Sequence, residues 1–231
     1  TILSFDRQRG MWTMRCMPYR WLTALLLLLH LPAAAAEISL DGITFGEGSS
    51  NMRLLAVTGG GTVEDPYVVL EEINASGDAV LLIRIDSPDF GSRLRTLHAV
   101  GFALRKVVIN NTGENWDYFA LELEFESGQG SDYYDGLSFA QATQVYRPFL
   151  SNRFSRVDDM TEPRDVVRFT EGGVAPGEQA AFQVSITHTA PRPSFSVVQH
   201  VRRPFAEYRS PVQVAAGEPC SPGPEPRPCL N

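Results

Sequence analysis

Between Phe119 and Glu126 the chain reads FALELEFE, with Phe119, Leu121, Leu123 and Phe125 alternating with Glu122, Glu124 and Glu126. Successive side chains of a strand point to opposite faces, so this run predicts a half-buried strand with one wet face. The segment AFQVSITH repeats the logic, with Phe182, Val184 and Ile186 inward and Gln183, Ser185 and Thr187 outward. Tyr67 to Leu70, Val80 to Ile85 and Val107 to Ile109 are β-branched and apolar on both faces, with Arg84 the one charged position, as expected of central strands. Turn-forming clusters separate these runs: Gly59-Gly60-Gly61, Asp65-Pro66, Ser76-Gly77-Asp78, Asn110 to Gly113, Glu171-Gly172-Gly173 and Ala175-Pro176-Gly177. The stretch from Ser138 to Met160 is the least strand-like and is expected to be a long loop with a helical turn. No segment keeps a helical period and no internal repeat is evident. The pattern predicts an all-β chain, a single antiparallel β-sandwich of jelly-roll or Ig-like type over residues 37–215.

What precedes residue 37 has a different texture. Met11, Met14 and Met17 are candidate starts, and from Met14 the order is that of a secretory signal peptide. Arg15 and Arg20 supply the positive region, Trp21 to Leu31 the apolar one, and Ala34-Ala35-Ala36 a small-residue cleavage site. The apolar run is 11 residues long, short of the roughly 20 that a membrane span requires. Cleavage is expected after Ala36, so that residues 1–36 leave and the mature chain carries no transmembrane anchor. Four Arg and one Asp leave with them, which takes the formal net charge from −7 to −10. A field of that sign opposes binding to nucleic acid and to anionic membranes. The expected location is secreted, periplasmic or extracellular.

Export also bears on the cysteines. Cys16 is lost with the leader, and Cys220 and Cys229 remain in a Pro-rich tail, residues 216–231. An oxidising compartment predicts a bridge between them across CSPGPEPRPC, with free thiols or an intermolecular bridge as the alternatives.

Candidate chemistry concentrates in SDYYDGLSF, Ser131 to Phe139. Asp132 and Asp135, with Glu114, Asn115 and Asp117 upstream, are oxygen ligands of the kind calcium takes. The spacing fits no EF-hand loop, and the plainer reading is a turn. Trp116, Tyr118, Tyr133 and Tyr134 are candidates for a sugar-stacking platform, since such rings pair an apolar face with a polar handle; the alternative is that they are core. Ser138 sits in a sequence like a nucleophile elbow, but that motif requires a strand, turn and helix. Asp158, Asp159, Glu162 and Asp165 offer the paired carboxylates of a glycosidase. Arg153, Arg156, Arg164 and Arg168 are interleaved with them, which favours solvated, ion-paired loops. His98, His188 and His200 lack the spacing of a zinc site. Gly59 to Gly61 leads into a loop and not a helix, so it implies no phosphate cradle. Asn74 and Asn110 each head a glycosylation sequon. Lys106 is the sole lysine and reads as a mark of base composition.

Three segments together, NNTGENWDYFALELEF (Asn110 to Phe125), DGLSF (Asp135 to Phe139) and GGVAPGEQAAFQVSI (Gly172 to Ile186), resemble a group of bacterial exported β-sandwich domains. Many of these carry C-terminal surface-sorting signals and have no assigned activity. The resemblance covers roughly residues 100–200 and implies a role at the cell surface or in the extracellular matrix. The apolar sorting helix and closing basic cluster of the group have no counterpart in the sequence. The expected function is a non-enzymatic structural or interaction module whose partner is an envelope or matrix protein or a glycan. A carbohydrate-binding module, assisted by calcium, is the alternative, followed by a polysaccharide-active enzyme. No catalytic residue is assigned, and no cofactor beyond calcium is expected.

Overall fold

The computed structural model describes residues 35–126, 128–132, 134–139, 149–161 and 163–203. Within them the secondary structure is all β, in two sheets. The seven-stranded sheet has the order β1 (Glu37–Leu40), β2 (Ile43–Glu47), β5 (Ala79–Ile85), β13 (Ser194–His200), β7 (Phe119–Phe125), β11 (Val166–Gly172) and β10 (Phe154–Met160). The second has the order β3 (Met52–Thr58), β4 (Tyr67–Ile73), β6 (Val100–Asn110), β12 (Gln179–His188) and β8 (Leu137–Ser138), with β9 (Leu150–Ser151) also pairing with β12.

The alternation of the sequence becomes the core. Phe119, Leu121 and Leu123 of β7 and Phe182, Val184 and Ile186 of β12 are fully buried. Their rings meet between the sheets: Phe119 stacks on Phe182 at 4.0 Å, and Phe45 meets Tyr67 edge-on at 5.5 Å. Such contacts make the two sheets one sandwich.

Neighbours in the seven-stranded sheet are all antiparallel. The second sheet differs from the expected pattern at one place, because β4 and β6 run parallel. The intervening β5 belongs to the other sheet, so the chain crosses the sandwich twice and re-enters beside β4 in the same direction. The hairpin of β1 and β2 closes on Asp41-Gly42, with φ of 51° and 84°, the positive pair that a two-residue hairpin turn demands. A Cβ on Gly42 would lie 2.7 Å from the Cβ of Ser87, so glycine is required there for space as well as for conformation.

Two expectations about strands are corrected. Phe154 to Met160 is an edge strand paired with β11, where a loop was expected; an edge strand open to solvent accommodates its Arg156, Asp158 and Asp159. The first part of the outer face of β7 is also not wet: Ala120 is fully buried and Glu122 is 6% exposed, while Glu124 is half-buried and Glu126 exposed. After Phe125 the chain folds back, Gly130 bridges Glu124, and Ser131 and Asp165 hydrogen-bond to the Leu123 backbone. That return, with Arg164 and His200 over Glu122, closes the face.

Candidate functional site

The Ser131 to Phe139 segment is built as a turn held by its own carboxylates. Asp135 accepts the backbone N–H of Asp132 at 2.7 Å and that of Leu137 at 3.0 Å, and Asp132 accepts the N–H of Tyr134 at 2.8 Å. The buried Ser131 hydroxyl donates to the Leu137 carbonyl at 2.6 Å, with Asp135 Oδ1 also 3.0 Å away. Gly136 has a φ of 90°, and a Cβ there would lie 2.2 Å from Thr189 Oγ1. Short polar side chains that bond backbone N–H groups two or three residues away are the usual devices of such turns. Among the described residues, no group of three or more His, Cys, Asp or Glu is arranged to hold a metal ion. Of the upstream acids, Glu114 is engaged elsewhere, by Ser76 and Arg202.

Replacing Asp135 by Ala is therefore expected to lower stability by about 1–2 kcal/mol in calcium-free buffer, measured by denaturant titration. A loss that appears only when calcium is present would assign the residue to a metal instead.

The four aromatic candidates are not gathered on one surface. Trp116 is 2% exposed, donates from Nε1 to Thr112 Oγ1 at 3.1 Å, and lies 5.8 Å from Phe119. A reciprocal backbone bridge with Val174 fixes it between the loops. Tyr118 is also 2% exposed and packs with Ala120, Val166 and Met160 under the Arg203 guanidinium. Tyr134 is 82% exposed, and Tyr133 lies outside the described residues. Neither Trp116 nor Tyr118 presents a free face to solvent, because each ring is covered by packing partners. A platform using all four rings is corrected on that ground.

The remaining candidates also fall into the scaffold. Ser138 is buried in β8, paired with Thr187 of β12, and not on a strand-to-helix turn. Asp158 pairs with Arg156 on the solvent side of β10, while Asp165 is buried. Glu162, Cys220 and Cys229 lie outside the described residues. Asn110 is fully buried and donates to the carbonyls of Glu114 and Val174, so its sequon is closed to modification. Asn74 is exposed on the turn between β4 and β5.

Two charged constellations emerge that the sequence pattern did not assemble. The first lies between the sheets. Tyr67, Val69, Glu71 and Ile73 share one face of β4, and Phe102, Leu104, Lys106 and Val108 one face of β6; all are fully buried. The Lys106 ammonium sits 2.9 Å from one Glu71 carboxylate oxygen and 3.0 Å from the other. Both side chains have no exposed surface. Burial lowers the Lys106 pKa, opposed by the charge and hydrogen bond of Glu71. The period-two pattern carries through both charged positions, and that is the signal that would have located the pair.

The second is on the outer face of the seven-stranded sheet. His200, at the end of β13, places Nδ1 2.8 Å from Asp78 and Nε2 3.0 Å from Glu122. Glu122 also accepts Arg164 at 2.7 Å. Burial favours the neutral imidazole, but the hydrogen bonds and charges of Glu122 and Asp78 outweigh it, so the His200 pKa is raised. For Glu122, burial alone would raise the pKa, and His200 with Arg164 bring it below the ordinary value. Glu124 is raised, first by burial and then by Glu122. The three partners of the imidazole cluster come from the approach to β5, from β7 and from the approach to β11, with no local spacing to betray them.

No protein-family model, curated protein or solved structure matches this chain.

Proposed function

We propose that the chain is an exported, non-enzymatic β-sandwich module that works by binding or bearing load in the cell envelope or extracellular matrix. The reading rests on the expected leader ending at Ala36 and on one structural observation. The Lys106–Glu71 pair, which unites an amine with a carboxylate among largely apolar side chains, is wholly enclosed between the sheets. No substrate reaches it, and its two charges tie neighbouring strands together. Asp135, Glu122 and the half-buried His200 imidazole are engaged in the same way, by turn amides, an arginine and each other. Groups so engaged hold a shape, and a held shape suits presentation of a surface to a macromolecular partner.

The reading is tested by sedimenting the purified mature chain with insoluble cell-envelope and exopolysaccharide fractions, while reducing ends are assayed in parallel. Co-sedimentation without release of reducing ends is the expected result. Release of sugar would make the protein an enzyme, and full recovery in the supernatant of every fraction would remove the binding role.

A further inference from the structure

We propose that His200, gripped between Asp78 and Glu122, is a pH-operated clasp that fastens the β4–β5 turn to the end of β13.

A neutral imidazole has one N–H and one acceptor nitrogen, whereas the imidazolium has two donors. Both ring nitrogens of His200 face carboxylates at hydrogen-bonding distance, so only the imidazolium satisfies both. When the proton leaves, one contact must go. Glu122 keeps Arg164 and its side chain is 7% exposed, whereas the Asp78 side chain is 66% exposed and has water at hand. Asp78 is therefore the partner released, and the turn loses its tie to His200. Glu122 faces His200 from β7 with Glu124 beside it, Arg164 stands at the entry to β11, and Asp78 leads into β5. Among the described residues the cluster thus holds three carboxylates against one permanent cation, and protonated His200 is the second positive charge.

The signs of the shifts define a window. The His200 pKa is raised from its ordinary 6.5, so its contribution is fully present below that value and is lost as pH rises through the raised one. The Glu122 pKa is lowered from 4.5, so its contribution is present above that value and fades as pH falls through the lowered one. Glu124 works against the folded state once it ionises, because its pKa is raised. The clasp is closed in mildly acidic medium and opens as pH rises through the raised His200 value.

Opening is local. The same turn keeps other ties that do not titrate near neutrality: Asn51 Nδ2 to the Asp78 carbonyl at 3.1 Å, Asn111 to Asn74 at 2.9 Å, and Ser76 to Glu114 at 3.1 Å. Glu114 in turn holds Arg202, two residues past the imidazole. The clasp consequently governs how firmly the turn and residues 199–202 are held, while the core stays intact.

Amide hydrogen exchange on the full chain, corrected for its intrinsic pH dependence, reads this directly. From pH 6 to pH 9, protection around Asp78 to Val80 and Gln199 to Arg202 is expected to fall on the order of tenfold, following the titration of the His200 ring signals by NMR. Core amides of β6 should not change. His200→Gln, which cannot titrate, should flatten the profile. Asp78→Asn, an exposed substitution that leaves the fold intact, should weaken closure at pH 6 and flatten it too. A flat wild-type profile, or an Asp78→Asn profile that matches wild type, overturns the proposal. The outcome is separate from the partner-binding test, which involves neither residue.

Discussion

Replacing Lys106 by Met is expected to destabilise the protein by about 3–5 kcal/mol, because it leaves the Glu71 carboxylate buried and alone. Domains of ordinary stability have only about 5–15 kcal/mol in total, so the variant should be folded marginally or not at all at growth temperature. Glu71→Gln leaves the opposite charge, and its loss should be of the same order. The informative comparison is with the double variant, Lys106→Met with Glu71→Leu. Both side chains point into a core already formed by Tyr67, Val69, Phe102, Leu104 and Val108, so the replacements enter surroundings suited to them. Removing both charges avoids the desolvation penalty of either alone, and such exchanges are commonly neutral or stabilising. Denaturant titration of wild type, Lys106→Met, Glu71→Leu and the double variant gives a double-mutant cycle. Strong coupling, with the double variant near wild type, is the expected result. Losses that simply add would mean that the pair is not the unit described. Lys106→Arg is not a conservative change here, because a planar guanidinium with five donors must fit where one ammonium meets one carboxylate.

How much of this was readable in advance follows from what each pattern depends on. The faces of β7 and β12 depend on a period of two, and Phe119, Leu121, Leu123, Phe182, Val184 and Ile186 all took their expected side. The covering of the outer face at Glu122 depends on a loop returning from Gly130 and on an imidazole 78 residues away, and neither leaves a local trace. The parallel pairing of β4 with β6 depends on the sheet to which β5 belongs, a property of the whole fold. Trp116 and Tyr118 had the composition of a wet aromatic rim, but composition does not distinguish a ring at a surface from one beneath an arginine or a loop. Lys106 is the opposite case. Its position in the alternation Phe102, Leu104, Lys106, Val108 placed it inward, and the general expectation that lysine faces water concealed it. Glu71 in the alternation of β4 was concealed for the same reason. Their agreement on inward positions in two neighbouring strands is what the buried pair requires.

Phe182→Ala is expected to cost about 3–5 kcal/mol, at the upper end of that range. Phe182 is fully buried and holds the two sheets together through three strands of the other sheet at once. Its ring stacks on Phe119 of β7 at 4.0 Å and 11°, meets Phe169 of β11 edge-on at 4.9 Å, and lies 5.9 Å from Phe154 of β10. Aromatic pairs of these geometries add about 0.5–1.5 kcal/mol to the area buried, and neighbours set in paired strands cannot easily collapse into the space. In register, Phe182 is also the partner of Lys106 across the β6–β12 ladder. A cavity at Phe182 would therefore open beside the ion pair, where a water molecule would bond to charges that are otherwise wholly enclosed. The two sites should consequently not add: in the Phe182→Ala background, Lys106→Met should cost less than it does in wild type, because the stranded carboxylate gains access to water. Phe182→Leu keeps most of the volume and should lose only part of the stability without that coupling. The measurement is the denaturation midpoint of each single and paired variant, at unchanged slope. A loss below about 1 kcal/mol for Phe182→Ala, or strict additivity with Lys106→Met, would show that the ring neither joins the sheets nor shields the pair.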